Sequence, residues 1–361
     1  MSEAVSAQTA TDFTRFLAVG GEAALNANES PFLTLEWLQP WRRHFGSGRE
    51  RVFAVGGADG SKGVFFAEIR EETYSGIPLR VVRSFVNNHS VRAALCIGSE
   101  PSDLAQGIAS DLVARRSEWD VLRLQGVSRQ TEFASALCNA LGRLGCSAQI
   151  EREWSHDALR FSPAGWLAYY QGLSKETRRV NERMRRRLNE LGTLSWKKCR
   201  TLDELCTGFA AFLEIEGRSW KAESGEVIAG DPAIHGFYAD VIEAFGRKEQ
   251  CEIDVLYLDQ RAICAVLSLS YKGRLTTLKS SFDASFAKYS PGWQLFRFLL
   301  EDALARSITH VDFYADLEFS KRWATMQQPF CDIIAFSSNW RGRVARATKT
   351  GLVLWRKARS G

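Results

Sequence analysis

The sequence predicts an α/β (α+β) protein of two tandem lobes, each a mixed, mostly antiparallel sheet flanked by helices. Three observations carry this expectation. The chain has 361 residues, more than one hydrophobic core usually serves. Its two halves present the same succession of apolar strands and helices. Between them, Pro163 and Gly165 break the pattern over Phe161–Trp166. The expected domains are residues 1–160, residues 161–345 with a basic linking helix at 173–192, and a basic tail at 346–361.

In the first half, Arg51–Val55 and Gly63–Arg70 alternate or run apolar around the turn residues Gly56, Gly57, Asp59 and Gly60, a hairpin signal. Leu79–Val86 reads as a third strand. A helix over Pro101–Arg116, a strand over Asp120–Leu124 and a helix over Thr131–Leu144 follow, and Ser147–Glu153 closes the lobe. In the second half, helices are expected at Leu202–Gly217 and Pro232–Phe245. Strands Cys251–Leu258 and Ala262–Tyr271 then flank the turn Asp259-Gln260-Arg261, and Arg274–Ser281 follows. A helix over Pro291–Arg306 and strands at His310–Tyr314 and Phe330–Ser337 complete the lobe. Helices packed on mixed sheets fit this order.

Composition sets further bounds. Apolar residues make up 45% and charged residues 25% of the chain, ordinary for a globular protein. No segment has the roughly 20 apolar residues of a membrane helix. Met1–Thr14 holds Glu3 and Asp12 and no apolar core of a signal peptide, so a cytoplasmic location is expected. Eight cysteines stand singly, at 96, 138, 146, 199, 206, 251, 264 and 331, and five histidines are dispersed. Reduced core thiols and no metal site are the expectation. The formal charge is +5, unevenly spread: Lys175–Arg187 holds seven basic residues against two acidic, and from Arg341 onward there are seven more and no acid. Such blocks suit anionic partners.

Several stretches, in order, resemble the GNAT-type acyltransferases that include CelD-like cellulose and exopolysaccharide proteins, and their relatives the Fem-type aminoacyltransferases. They are PFLTLEWLQPWRRHFG (Pro31–Gly46), LSKETRRVNERMRRRLNELG (Leu173–Gly192), FLEIEGRSWKAESGE (Phe212–Glu226), SFDASFAKYSPGWQLFRFLLEDAL (Ser281–Leu304) and VDFYADLEFSKRW (Val311–Trp323). The resemblance implies tandem GNAT-like folds, with acetyl-CoA or another acyl-CoA bound to the C-terminal lobe. It also implies acyl transfer to an amine or hydroxyl, often on a sugar. It further implies a splayed central strand pair, with Ala262–Tyr271 or Arg274–Ser281 on one side and His310–Tyr314 on the other.

Ser290-Pro291-Gly292, followed by Trp293, opens a helix directly after a strand and loop. Proline in the first turn forfeits no hydrogen bond, and glycine lets a ligand approach the backbone. The arrangement suits the CoA pyrophosphate and equally suits a plain helix cap. Where the family loop has Gln or Arg and then Gly, this chain has Ala287 and Ser290; Gly292 matches. Asp312 and Tyr314 are expected on one face of a strand, either as hydrogen-bonded core groups or as base and acid for the proton transfers. Glu216 ends a helix beside Trp220 and Lys221, where an acceptor sugar could stack on the indole and hydrogen-bond the carboxylate; a helix end over a buried tryptophan is the alternative. Lys279 and Asp283 at a strand end, with Lys321 and Trp323, complete the expected substrate contacts.

The helix over Lys175–Arg187 places Val180, Met184, Leu188 and Leu191 on one stripe. Its basic face is either solvated or a grip for phosphates of a lipid-linked sugar, a membrane surface or tRNA. The tail segment 341–359, from Trp340, is open to the same readings, including an anionic or nucleotide regulator and peripheral contact with the inner membrane. The principal functional expectation is an acyl-CoA-dependent N- or O-acyltransferase acting on a sugar or amine in envelope or exopolysaccharide synthesis. The alternatives are a Fem-like transfer from aminoacyl-tRNA, disfavoured with other nucleic acid because no long helical hairpin is inserted, and a non-catalytic GNAT-fold scaffold. No G-x-S-x-G, Walker A or G-x-G-x-x-G stretch occurs.

Overall fold

The computed structural model describes residues 13–18, 21–22, 25, 28–55, 63–74, 76–97, 100–225, 227–315 and 318–359. The turn expected at Gly56–Gly60, the first twelve residues, Glu226, Asp316 and Leu317 lie outside these, as do the side chains of Cys96 and of residues from Thr350 onward.

The first half forms α1 (Phe13–Ala18), α2 (Leu35–Phe45), β1 (Glu50–Val55), β2 (Gly63–Tyr74), β3 (Ile77–Ser84), β4 (Leu95–Ile97), α3 (Pro101–Ala114), β5 (Val121–Ser128), α4 (Phe133–Arg143) and β6 (Ser147–Arg160). Next come α5 (Gly165–Gly172), α6 (Lys175–Asn189), β7 (Leu194–Cys199), α7 (Leu202–Gly217), α8 (Trp220–Ser224) and α9 (Pro232–Gly246). The chain ends with β8 (Cys251–Leu258), β9 (Arg261–Tyr271), β10 (Arg274–Phe282), α10 (Pro291–Ala305), β11 (His310–Asp312), α11 (Glu318–Lys321), β12 (Met326–Phe336) and α12 (Trp340–Arg359).

Two compact units result: residues 1–154 with 328–361, and residues 155–327. The expected division at 160/161 and 345/346 differs in a specific way. Residues 328–345, expected in the second lobe, belong with the first. The cause is β12, whose Phe330–Phe336 pair antiparallel with β5. Conversely, the end of β6 lies in the second unit, where Ala158–Arg160 pair antiparallel with β11.

In the first unit the strand order is β1-β2-β3-β5-β12, with β4 also on β2. In the second it is β6-β11-β10-β9-β8-β7. Within each unit one pair is parallel, β3 with β5 and β10 with β11. Each unit is thus a mixed, mostly antiparallel sheet flanked by helices, in the tandem arrangement expected.

Helix packing follows side-chain periodicity. Leu104, Ala105, Ile108, Ala109 and Leu112 bury one face of α3 against Phe65, Leu122 and Ile333 of the first sheet, and α4 joins them through Phe133, Leu137 and Leu141. In the second unit α10 buries Leu295, Phe296, Leu299, Leu300 and Ala303 against Leu256, Val266, Leu275 and Val311. Each such side chain contributes roughly 1.5–3 kcal/mol on leaving water. The alternate residues of β8 face α7, which approaches closely because position 208 is glycine: a Cβ there would stand 3.0 Å from Cys199 Sγ. A Thr201–Glu204 capping box starts α7.

Between β8 and α10 lies a buried ionic cluster. Lys198 Nζ sits 3.2 Å from Glu252, 3.0 Å from Asp254 and 3.2 Å from Asp302, and Arg306 reaches Glu252 at 3.0 Å. The Trp196 indole donates to Asp254 at 2.8 Å. Burial pushes the Asp254 carboxyl up to about 6, against the pull of Lys198.

The basic helix α6 packs on α10. Gln294 Nε2 donates to the Asn181 carbonyl and Oδ1, both at 3.0 Å, and Arg297 pairs with Glu182 at 2.6 Å. Its buried stripe is Thr177, Asn181, Met184 and Leu188. Val180 is only half-buried and Leu191 is 48% exposed, because Asn181 turns inward to meet Gln294. Arg179, Arg183, Arg185 and Arg186 face solvent.

Candidate active site

The second unit's sheet forks. The parallel pairing of β10 with β11 lasts three residues, Arg274–Thr276 against His310–Asp312. Beyond it β10 continues along β9 to Phe282, with a bulge between Thr277 and Lys279, while the chain after β11 turns away. The buried Thr277 hydroxyl pins the branch point, donating to the Phe313 carbonyl at 3.1 Å and lying 3.4 Å from that of Asp312. Tyr314 adopts φ +53°, a left-handed conformation costly for a bulky residue and found most often at functional sites. Asp157 ties this turn to the unit: its N–H bonds to Ala315 O at 2.8 Å, and its Oδ2 accepts from the Ser320 hydroxyl at 2.5 Å.

A cavity of about 420 Å³ occupies the fork. Its walls come from β10 (Thr277–Phe282), the start of α10 (Ser290–Trp293 and Phe296), the turn after β11 (Phe313–Ala315), α8 (Trp220 and Lys221) and Phe319 with Ser320. Ser290 takes φ +50° and no side chain caps α10; Pro291 lacks an N–H and that of Trp293 bonds to the Ser290 carbonyl at 3.0 Å, so the helix presents the Gly292 N–H and its positive dipole end there. Gly292 has ordinary φ, and a Cβ would stand 3.8 Å from Phe319. That is an ordinary contact, so neither the backbone nor the space demands glycine at this position. Arg187 lies 5.1 Å and Lys288 5.0 Å from the centre of the Tyr289 ring, just ahead of the helix start.

Eight of the expected site residues line the cavity: Tyr314, Ser290, Pro291, Gly292, Trp293, Trp220, Lys221 and Lys279. The other five do not. Asp312 is 5% exposed, and its Oδ1 accepts from the Tyr314 N–H at 2.8 Å. The strand ends there because Tyr314 turns left-handed, so the two do not share a strand face. Glu216 is buried, accepting from Ile228 N–H at 2.7 Å and standing 3.5 Å from Lys221 Nζ. Asp283 caps the turn at 284–289 through Ser285 and pairs with Arg218 at 2.9 Å and Arg261 at 2.7 Å. Burial raises its carboxyl, but the Ser285 hydroxyl and Arg261 together hold it below the usual range. Lys321 is a surface group paired with Glu318 at 3.1 Å. Trp323 is fully buried, edge-on to Trp293 at 6.2 Å.

Sequence reasoning passed over Cys264, Thr277, Phe313 and Ser320 because apolar and hydroxyl residues in core strands carry no local chemical signature. Burial pushes the Cys264 thiol far above its usual range, so it is a neutral wall group and no nucleophile. Tyr238, behind the wall, is also raised by burial, with Tyr314 and Glu216 adding to the effect. Among the described residues no group of three or more His, Cys, Asp or Glu could hold a metal.

The first unit has the same parallel pair, but among the described residues the chain that leaves β3 packs back against β5. The β3 chain leaves the sheet after Ser84 and returns as β4 along β2. On the way Ala93 N–H bonds to Gly126 O of β5 at 3.0 Å. Gly126 has φ +71°, and a Cβ would collide with the Val91 carbonyl oxygen. Val91–Ala93 thus lie directly against β5 at Gly126. Glu100 and Asp103 stand at the start of α3, where they would repel an anion.

This geometry agrees with a match at the level of sequence. Residues 175–322 carry an acetyltransferase (GNAT) domain. That GNAT domain lies within the second unit and spans the fork, α10 and the basic helix. No curated protein matches the chain. Solved structures match the fold over nearly all of it. A conserved protein of unknown function from Bacteroides thetaiotaomicron superposes with TM-score 0.56 at 9% identity, covering 93% of this chain and 100% of that one. FemX gives 0.53 at 12%, covering 90% and 97%. L-PGS from Bacillus licheniformis gives 0.50 at 11%, covering 92% and 93%. At such identities the likeness is one of fold alone. No helix among the described residues is long and apolar enough to cross a membrane.

Proposed function

We propose that the GNAT domain transfers an acyl group from acyl-CoA, acetyl-CoA being the first donor to test, to an amine or hydroxyl of a sugar or small amine. The observation that carries this reading is the cavity in the β10–β11 fork, set under the uncapped start of α10. A bound acyl-CoA supplies the activated thioester. The Gly292 N–H and the positive end of α10 suit its pyrophosphate, and Arg187 and Lys288 suit its remaining phosphates. The apolar walls Phe282, Phe296, Phe313 and Phe319 suit the pantetheine and acyl chain. Tyr314, which lines the cavity, would give a proton to the departing thiolate and regain one from the acceptor's amine or hydroxyl. Asp312 orients Tyr314 through its main-chain N–H and is a positioning residue. An envelope or exopolysaccharide acceptor remains the favoured setting, with the protein on the cytoplasmic side of the membrane.

Calorimetric titration with acetyl-CoA tests the reading. One equivalent per chain should bind, since Glu100 and Asp103 at the start of α3 would repel an anion in the first unit, and Gly292→Glu should abolish binding by placing a negative charge in the cavity. Two equivalents, or undiminished binding by the variant, would refute this placement of the donor. The second reading, Fem-like transfer from aminoacyl-tRNA, is favoured by one observation, the solvent-facing Arg179, Arg183, Arg185 and Arg186 on α6. Salt-sensitive tRNA binding lost on charge reversal of these arginines would favour it.

A further inference from the structure

A second cavity, of about 330 Å³, opens on the first unit's sheet, on the face opposite α3 and α4. Helices cover that face in two places. The helices α1 and α2 bring Phe16 and Trp41 onto Phe66 and Phe85, and α12 brings Ala345 onto Val81 and Phe336. The strand positions between these contacts are charged. Arg83 and Arg123 stand side by side on β3 and β5, in register, although arginine is rare on inner strands unless paired and like charges directly opposite destabilise strand pairing. Glu72 holds both, 3.6 Å from Arg83 and 2.9 Å from Arg123, and Lys349 of α12 pairs with Glu151. Each cation of the described walls thus has a carboxylate beside it. Hydrogen-bonding groups are nonetheless left over. Arg123 uses only Nη1, on Glu72. Asp332 accepts through Oδ1 from the Gly126 N–H at 2.9 Å and the Trp154 indole at 3.1 Å, and keeps Oδ2. The exposed Gln125 carboxamide and the Tyr74 hydroxyl have no partner among the described residues.

Small-molecule sites join an apolar floor to a few placed polar groups, and here the floor is Val121, Ile334 and Phe336. A charged ligand would have to compete with an existing partner for each cation it met, whereas a neutral polyol meets donors and acceptors that are still open. We infer that this groove binds a neutral sugar ring. Arg123, Gln125 and Asp332 offer flat, two-pronged groups that can meet neighbouring hydroxyls in pairs, and the C–H face of the ring lies on Phe336 and Tyr74. Adjacent arginines on inner strands break a local rule, and such positions are ordinarily functional. The inference concerns the first unit alone and does not depend on acyl transfer at the fork.

The test is calorimetry on the full chain without acetyl-CoA. Wild-type protein is titrated with glucose, galactose, N-acetylglucosamine, cellobiose and maltose, with glucuronate and phenylalanine as charged and zwitterionic controls. At least one neutral sugar should bind saturably, and more tightly than either control. Gln125→Trp, which fills the groove from an exposed position, should weaken that binding at least about tenfold. Gln125→Ala, which removes the carboxamide alone, should weaken it about two- to tenfold, the value of one or two neutral hydrogen bonds. Both variants should melt as the wild type does, because this side chain makes no hydrogen bond in the protein. Should Gln125→Trp not fold, Gln125→Ala alone decides. No saturable binding by any of the sugars overturns the inference. So does tighter binding of glucuronate or phenylalanine, which would make the groove an ion site. Sugar binding that both Gln125 variants leave intact would put the sugar elsewhere and overturns it equally.

Discussion

Thr277→Val is the sharpest probe of the fork. The two side chains have nearly the same shape, and valine is a good strand former, so a space-filling role predicts no loss or a slight gain in stability. The structure predicts a loss. The Thr277 hydroxyl donates to the Phe313 carbonyl at 3.1 Å in a position only 5% exposed. Removing it leaves that carbonyl without this donor where β10 and β11 part. An unsatisfied buried acceptor costs about 1–3 kcal/mol, offset by the gain of burying a methyl group in place of a hydroxyl. A net destabilisation of about 1–2 kcal/mol is expected, or a fall in Tm of about 2–8 °C for a unit of this size. Urea unfolding should give the same free energy with an unchanged slope. A variant as stable as the wild type would refute the argument that this hydroxyl holds the fork.

Other outcomes follow from the placement of the remaining residues. Trp323→Ala should cost about 3–5 kcal/mol as a fully buried indole is lost, while Lys321→Ala should change stability by under about 0.5 kcal/mol and leave acetyl-CoA binding unaltered; calorimetry and thermal melts on both variants decide this. The Asp254 carboxyl, raised by burial to about 6 in the folded state, binds a proton more readily folded than unfolded. It therefore adds stability as pH falls from 7 to 5, by about 1 kcal/mol, and loses that contribution as pH rises through 6. Asp254→Asn should flatten this part of the pH–stability profile, and equal slopes for the two proteins would contradict the assignment.

Much of the molecule was legible in the residues themselves. Apolar runs around the turn Asp259-Gln260-Arg261 marked β8 and β9, with β10 following, and Pro291 marked the start of α10 to the residue, because apolar runs and cap chemistry are local properties. Eight of thirteen expected site residues reach the cavity, and they are those at helix starts and strand ends. Sidedness failed where it depended on a backbone turn: Asp312 and Tyr314 read as neighbours on a strand until Tyr314 takes a positive φ.

What the sequence by itself determined is therefore the tandem pattern, the helix that opens on Ser290-Pro291-Gly292 and the concentration of arginine on α6. Each depends on residues a few positions apart, within reach of the forces that set local conformation. Only the tertiary structure decided that β12 belongs with the first unit and the end of β6 with the second, since strand pairing joins residues some 200 positions apart and alternation carries no address. It alone decided that the chain after β11 turns away to leave a cavity, while Val91–Ala93 pack against β5 at Gly126. It also took three expected carboxylates out of the cavity's described walls: Glu216, Asp283 and Asp312 each found N–H or cationic partners in the fold.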